Sequence, residues 1–140
     1  MNAHRRRGRR GQALVEFALV IPIFVFLLVA VFDFGRGIYT YNGVAEAARE
    51  IARTTVVYLR VGLGQSLETQ AAINIQKSLV PGLVVESFAC LTVTGTASMA
   101  DPCKSGDFVQ VTVSSSYVPM STLGLSGPIT LRSSSTLQVP

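Results

Sequence analysis

The sequence contains no tryptophan, one histidine, two cysteines and only eight carboxylates in 140 residues. Acid-base catalysis and metal binding draw on converging His, Cys, Asp and Glu side chains, and a chain this poor in them offers few such sets. The lone His4 stands among arginines, so no Ser, His and acid combination suggests itself. No enzyme activity, metal or cofactor is expected. Cys90 and Cys103 have twelve residues between them, too many for a CxxC redox pattern, and have no His neighbours to complete a zinc site. They are expected to form one structural disulfide, which would place that part of the chain outside the reducing cytoplasm; the alternative is two buried free thiols.

Positive charge is present in excess, with a formal net charge of +4, but it is not spread along the chain. Arg5, Arg6, Arg7, Arg9 and Arg10 supply five of the twelve cations, and from Gln12 onward seven cations face eight anions, a side-chain balance of −1. A nucleic-acid partner is therefore not expected, since the basic character belongs to ten residues lying directly against an apolar run.

That run, Ala13 to Phe32, is twenty residues with Glu16 as its one charge. As a helix it has the length needed to cross about 30 Å of hydrocarbon. A secretory signal peptide would have a shorter apolar core, about 7 to 15 residues, and a small-x-small cleavage site close behind it. Lys and Arg beside a spanning helix stay on the cytoplasmic side, so the expected orientation is N-terminus inside and everything after Asp33 outside. This agrees with the disulfide expectation, which came from different residues.

Past the span, Ile38, Tyr41, Ala45, Ala48, Ala52, Thr55 and Leu59 recur at steps of three and four, and Val44, Ile51 and Val56 widen the stripe. The opposite face carries Glu46, Arg49, Glu50 and Arg53, spaced to pair at i, i+3. Ala13 to about Arg60 is expected to form one nearly continuous helix of about 70 Å, weakened by Gly35, Gly37 and Gly43, where a bend or local melting is expected. Pro22 frees the Ala18 carbonyl and marks a kink. Ser66 can cap a short helix from Leu67 to Leu79, stopped by Pro81 and Gly82, with Leu67, Ala71, Ile75 and Leu79 as the stripe that packs on a neighbour. The period then changes to two. Leu83 to Thr94, Phe108 to Val118 and Ile129 to Val139 read as strands, with Gly95 to Gly106 and Met120 to Pro128 as loops and Ser133 to Thr136 as polar strand surface. The fold class is α+β: a long N-terminal helix, a short second helix and a small three-stranded antiparallel sheet. Closing the Cys90 to Cys103 loop contributes about 3 kcal/mol in the chain-entropy model.

Glu16 is the most informative position. A carboxylate in a spanning helix costs about 2.5 to 3.5 kcal/mol near the centre, less near the interface, and so wants a partner. It follows a flexible Gly11 at the end of the arginine cluster. A cut after Gly11 would leave an ammonium on Gln12, four residues before Glu16 on the same helix face. Glu16 could equally accept the N-terminal ammonium of an adjacent subunit, favouring one axial register in a low-dielectric bundle.

The stretch GQALVEFALVIPIF from Gly11 to Phe24 resembles the class III signal of type IV pilins and pseudopilins, with Phe17 where the major pilin signal usually has Tyr. Together with DFGR at Asp33 to Arg36 and AAREIAR at Ala47 to Arg53, it resembles most the TadE-like family of tight-adherence pilus systems. The matching positions are Gly11, Glu16 and Phe17 of the signal, then Asp33, Gly35, Arg36, Ala47, Ala48, Arg49, Glu50, Ala52 and Arg53. The resemblance covers about Arg10 to Val56. It implies a pilin-like fold and a minor pseudopilin that helps initiate or regulate pilus biogenesis, in three parts. Residues 1–11 would be a basic cytoplasmic leader removed by a prepilin peptidase between Gly11 and Gln12. Residues 12–34 would be the transmembrane helix, and 35–140 an extracytoplasmic domain with an amphipathic helix at 35–60, a short helix at 66–80 and strands over 83–139. The implied partners are the prepilin peptidase, other pilins or pseudopilins through the N-terminal helix, the inner-membrane assembly platform and membrane lipid. The implied location is the cytoplasmic (inner) membrane, with pilus association after assembly. The competing expectation is an uncleaved single-pass anchor whose exported β region binds a surface or partner.

Overall fold

A computed structural model describes residues 4–98, 101–120 and 127–140, with residues 4–10 described by backbone alone. The side chains of His4, Arg5, Arg6, Arg7, Arg9 and Arg10, the greater part of the Met120 to Pro128 loop and residues 99–100 of the loop before Cys103 lie outside the described residues.

Helix α1 spans His4–Val57, 54 residues with Pro22 inside it, or about 80 Å at 1.5 Å per residue. It stays helical through Gly35, Gly37 and Gly43, so of the bend or local melting expected there the melting does not occur. One of these glycines serves packing. A Cβ on Gly43 would stand 3.1 Å from Val80 Cγ2, which would have to give way, whereas one on Gly37 would stand 3.8 Å from the Tyr117 ring, an ordinary contact.

A single 3-10 turn, Leu59–Val61, ends the rod and leads to α2, Leu67–Leu79. The Ser66 hydroxyl caps α2 by accepting the Thr69 N–H at 3.1 Å and donates to Thr69 Oγ1 at 2.7 Å. That pair draws the Thr69 face inward. Thr69 and Ile73 are buried, whereas Leu67 is 86% exposed, Ile75 57% and Leu79 65%. The expected packing stripe of α2 is therefore its outer face. Residues at strict four-residue spacing advance about 40° per step around a 3.6-residue helix, so a stripe of this kind spirals away from any one neighbour, and the cap decides the orientation.

The sheet has four strands, not three: β1 Leu83–Leu91, β2 Ala97–Ser98, β3 Phe108–Tyr117 and β4 Ile129–Gln138, in the order β2-β1-β3-β4 with every pair antiparallel. The extra strand lies inside the expected Gly95 to Gly106 loop. Gly95, at φ +79°, donates its N–H to the Thr92 carbonyl at 2.8 Å, and the Thr92 N–H donates to Thr96 at 2.8 Å. This tight turn ends β1 at Leu91 rather than Thr94 and folds two residues back beside Cys90 and Leu91.

One sheet face is apolar. Val109, Val111 and Val113 of β3 are fully buried, and opposite them in β1 lie Cys90, Phe88 and Val85, with Leu83 opposite Ser115. The parity of β1 changes between Val85 and Phe88, which a plain strand would place on opposite faces. A bulge between Val85 and Ser87 restores the apolar face and turns Glu86 outward. There Glu86 accepts Arg132 at 2.8 and 2.9 Å across β3. The Ser114 hydroxyl first, then Arg132, hold its carboxyl below the ordinary range.

Helix α1 covers the apolar face, packing on β3 and β4, and α2 fills the side next to β1. Val44, Ala47, Ala48, Ile51 and Ala52 are fully buried, and Thr55 is buried with its hydroxyl donating to the Ile51 carbonyl at 2.7 Å. Ser133 and Ser135, expected on polar surface, are half-buried in register with Val113 and Val111. Small side chains on β4 and alanines on α1 let helix and strand approach closely. On the solvent side the expected pairs form, Glu46 with Arg49 at 3.5 Å and Glu50 with Arg53 at 4.0 Å.

The faces of α2 can be tested by a matched pair. Ile73→Ala is expected to destabilise the detergent-solubilised protein by about 2 to 4 kcal/mol, and Ile75→Ala by less than about 0.5 kcal/mol, in urea unfolding followed by far-UV circular dichroism.

Candidate functional site: the stalk and its junction with the sheet

The signal residues stand on the bare end of α1. Gln12 Nε2 donates to Glu16 Oε1 at 3.3 Å, so the two residues share the face on which an ammonium at Gln12 would meet the carboxylate. A Cβ built on Gly11 meets nothing within 4 Å. Packing does not demand glycine there. From Leu14 to Phe32 the large side chains, Phe17 among them, are exposed, and this stretch is long and apolar enough to cross a membrane with none of it covered by the rest of the protein.

At the end of the apolar stretch the helix meets the sheet through Asp33. Although it is a carboxylate beside a run of exposed phenylalanines, Asp33 is only 7% exposed. The Met120 N–H donates to its Oδ1 at 2.9 Å. The Tyr117 hydroxyl donates to the Asp33 carbonyl at 2.8 Å, with Oδ1 at 3.4 Å. Arg36, one turn on, lies 3.8 Å from the same Oδ1 and 5.8 Å from the Tyr117 ring centroid, over its face. Asp33 and Arg36 therefore grip the last residue of β3 and the start of the chain beyond it. Burial is mitigated by these donors, because a carboxylate out of water needs its lone pairs filled. A Cβ on Gly35 would meet nothing within 4 Å, so the structure gives Gly35 no packing role.

The AAREIAR positions divide by face. Ala47, Ala48 and Ala52 are fully buried on the seam, while Arg49 and Arg53 reach solvent and pair with Glu46 and Glu50. Beyond the end of α1, Cys90 and Cys103 form the expected disulfide, with Cα atoms 5.6 Å apart. Asp101, two residues before Cys103, accepts the Leu63 N–H at 2.9 Å and so ties the disulfide loop to the turn after the helix.

Tyr117 and Met120 were not singled out in the sequence, although a signal for Tyr117 was there. It closes the inward-facing row Val109, Val111, Val113, Ser115, and a tyrosine ending a buried row needs a partner for its hydroxyl. Nothing in the sequence marks Met120, which contributes only a backbone amide.

Burial first, and then the neighbouring Asp33 charge, push the Tyr117 phenol above its ordinary value of 10.0. The folded state thus keeps a proton that the unfolded chain loses. Its contribution is complete below about pH 10 and is lost as the pH rises through the raised folded value. Tyr117→Phe is expected to cost about 1 to 2 kcal/mol at pH 7 by loss of the hydroxyl's bonds. Its stability should also fall less steeply than that of the wild type above about pH 10, as measured by urea unfolding across that range.

Comparison with protein families matches residues 11–53 to TadE-like protein. Searches of the curated proteins and of the solved structures found no match. The matched stretch runs from Gly11 through the bare helix, the Asp33 junction and the alanine seam to Arg53, and over these residues the chain is similar to the TadE-like family.

Proposed function

We propose that the protein is a minor pseudopilin that acts in assembly of a tight-adherence (type IVb-like) pilus. It is processed after Gly11 in the cytoplasmic membrane and packs through its apolar N-terminal helix against other pilins or pseudopilins. One observation carries this reading. The TadE-like match falls on a single helix whose first half, Leu14 to Phe32, is bare and apolar and whose second half is the backbone of a folded domain.

A helix of this kind loses little on leaving lipid for a bundle of similar helices, because lipid tails and apolar side chains are comparable surroundings and packing decides the balance. The arginine leader opposes departure, since its charges hold the N-terminus on the cytoplasmic side. Cleavage by a prepilin peptidase would remove that restraint. It would also create the Gln12 ammonium near Glu16, or near the Glu16 of a neighbouring stalk on the assembly platform, where opposite charges in a low-dielectric bundle favour one axial register.

Mass spectrometry of the protein from its native host is expected to give a mature N-terminus at Gln12, and an intact Met1 or Asn2 terminus would overturn the proposal. Gly11→Val, which meets no neighbour in the fold, is expected to accumulate the uncleaved precursor in the membrane and stop pilus assembly. Glu16→Ala is expected to insert as well as or better than the wild type while assembly fails. Normal pili from that variant would remove the charge pairing from the mechanism.

A further inference from the structure

The apolar stripe of α1 is longer than the sheet that covers it. Burial of the stripe begins at Val44, but Tyr41 and Ile38, about one and two turns below, remain 49% and 46% exposed. Between them and the end of the sheet runs a groove of about 440 Å³, walled on the helix by Ala30, Phe34 and Ile38 and on the sheet by Pro119, Ile129 and Leu131. Its walls are almost wholly apolar. Val118 and Met120, the chain neighbours of the lining residue Pro119, are also exposed, at the same end of β3 as Tyr117.

The groove's height relative to the bilayer follows from the helix. Ala30 belongs to the last turn of the Ala13 to Phe32 stretch, and Phe34 and Ile38 stand about 6 and 12 Å above it at 1.5 Å per residue. A bilayer adds about 5 to 8 Å of headgroup region to each side of its 30 Å hydrocarbon core. The groove is thus continuous with the surface that lipid would already cover, and opens at the level of the headgroups. Phe34, Tyr39 and Tyr41, all exposed there, are the residue types that collect at this level as aromatic belts.

We propose that this groove and the apolar rim around it seat the sheet on the membrane surface, with acyl-chain segments of the adjoining leaflet filling the groove. The proposal rests on the reading of α1 as a membrane-spanning helix. The domain is then a partly immersed body rather than one held clear of the bilayer on a stalk, and its release requires an apolar surface to leave lipid along with the helix. Incoming subunits would compete with lipid for the same surface.

The absence of tryptophan makes the test direct. Single substitutions Ile129→Trp, Met120→Trp, Phe24→Trp and Val93→Trp are introduced into the full chain. Each protein is reconstituted at high dilution into phosphatidylcholine vesicles whose acyl chains are brominated near the headgroup or, separately, near the middle. Met120 engages Asp33 through its backbone amide, so its side chain can change without loosening the junction, should Ile129→Trp disturb β4. Interfacial insertion reaches about 5 to 10 Å, so bromines near the headgroup are expected to cut Ile129→Trp and Met120→Trp emission about twofold. Val93→Trp, in the turn at the opposite end of the sheet, is expected to be unaffected.

Phe24→Trp, quenched by bromines near the middle, reports the span itself. Quenching at Phe24→Trp with none at the Ile129 and Met120 positions would overturn the seating and leave the span intact. A blue-shifted, unquenched Ile129→Trp would give the groove to residues 121–126 or to a second copy of the chain, and would also overturn it. Failure at Phe24→Trp would overturn the spanning reading and this proposal with it.

Discussion

The sheet has one apolar face and one helix to cover it, and the rest of the structure depends on that seam. Among the described residues no second layer backs the opposite face, which presents serine, threonine and the Glu86 to Arg132 pair. The core of the domain is therefore the contact between Val44, Ala47, Ala48, Ile51 and Ala52 of α1 and the valines of β3, with α2 closing one side. A helix serving two surroundings must change its surface abruptly. From Ala13 to Phe32 its side chains, Glu16 aside, are apolar on every side, and beyond Asp33 they divide into a face for the sheet and a face for water. Asp33 stands at the change of environment, and its donors come from the sheet itself.

Within the TadE-like stretch, packing and function are interleaved. The alanines owe their identity to a close helix-to-strand approach, and Asp33 and Arg36 to the end of β3. Gly11 and Glu16 have no such explanation: a Cβ on the first meets no neighbour, and the second accepts a hydrogen bond from Gln12 one turn before it on the same exposed helix. The matched stretch thus joins residues needed to build this domain with residues that its packing does not explain. The part of the protein outside the match, residues 54–140, supplies the surface that makes the first group intelligible.

The long helix, its second-half stripe, the cap at Ser66, the disulfide and the three main strands were legible because each rests on local pattern: length of an apolar run, a period of 3.6 or of two, a capping hydroxyl, a pair of cysteines. What was not legible depended on partners distant in sequence. Gly43 reads as a helix breaker until Val80 is placed against it. The stripe on α2 read as inward because its neighbour was unknown, and Thr69, polar by type, gave no hint that its hydroxyl bond would set the buried face. The short β2 was hidden by turn chemistry at Gly95, and the Asp33 junction by a partner 84 residues away. Gly64, between the two helices and at φ +72°, sits where a Cβ would come within 2.7 Å of the Phe88 ring, a packing demand that only the placement of β1 reveals.

The two ties between helix and sheet stand at opposite ends of the outer half of α1, the Asp33 to Tyr117 bonds below and the Leu63 to Asp101 bond just past its end, with about 36 Å of rod between Asp33 and Val57. Between them lies a seam of small side chains. A pull along the helix axis would load that seam in shear, a direction in which shallow alanine contacts alone would let one element slip a step past the other. With both ends pinned, and the upper pin carried on a loop closed by a covalent crosslink, sliding must break both ties at once. The head would then move with its rod as one rigid piece.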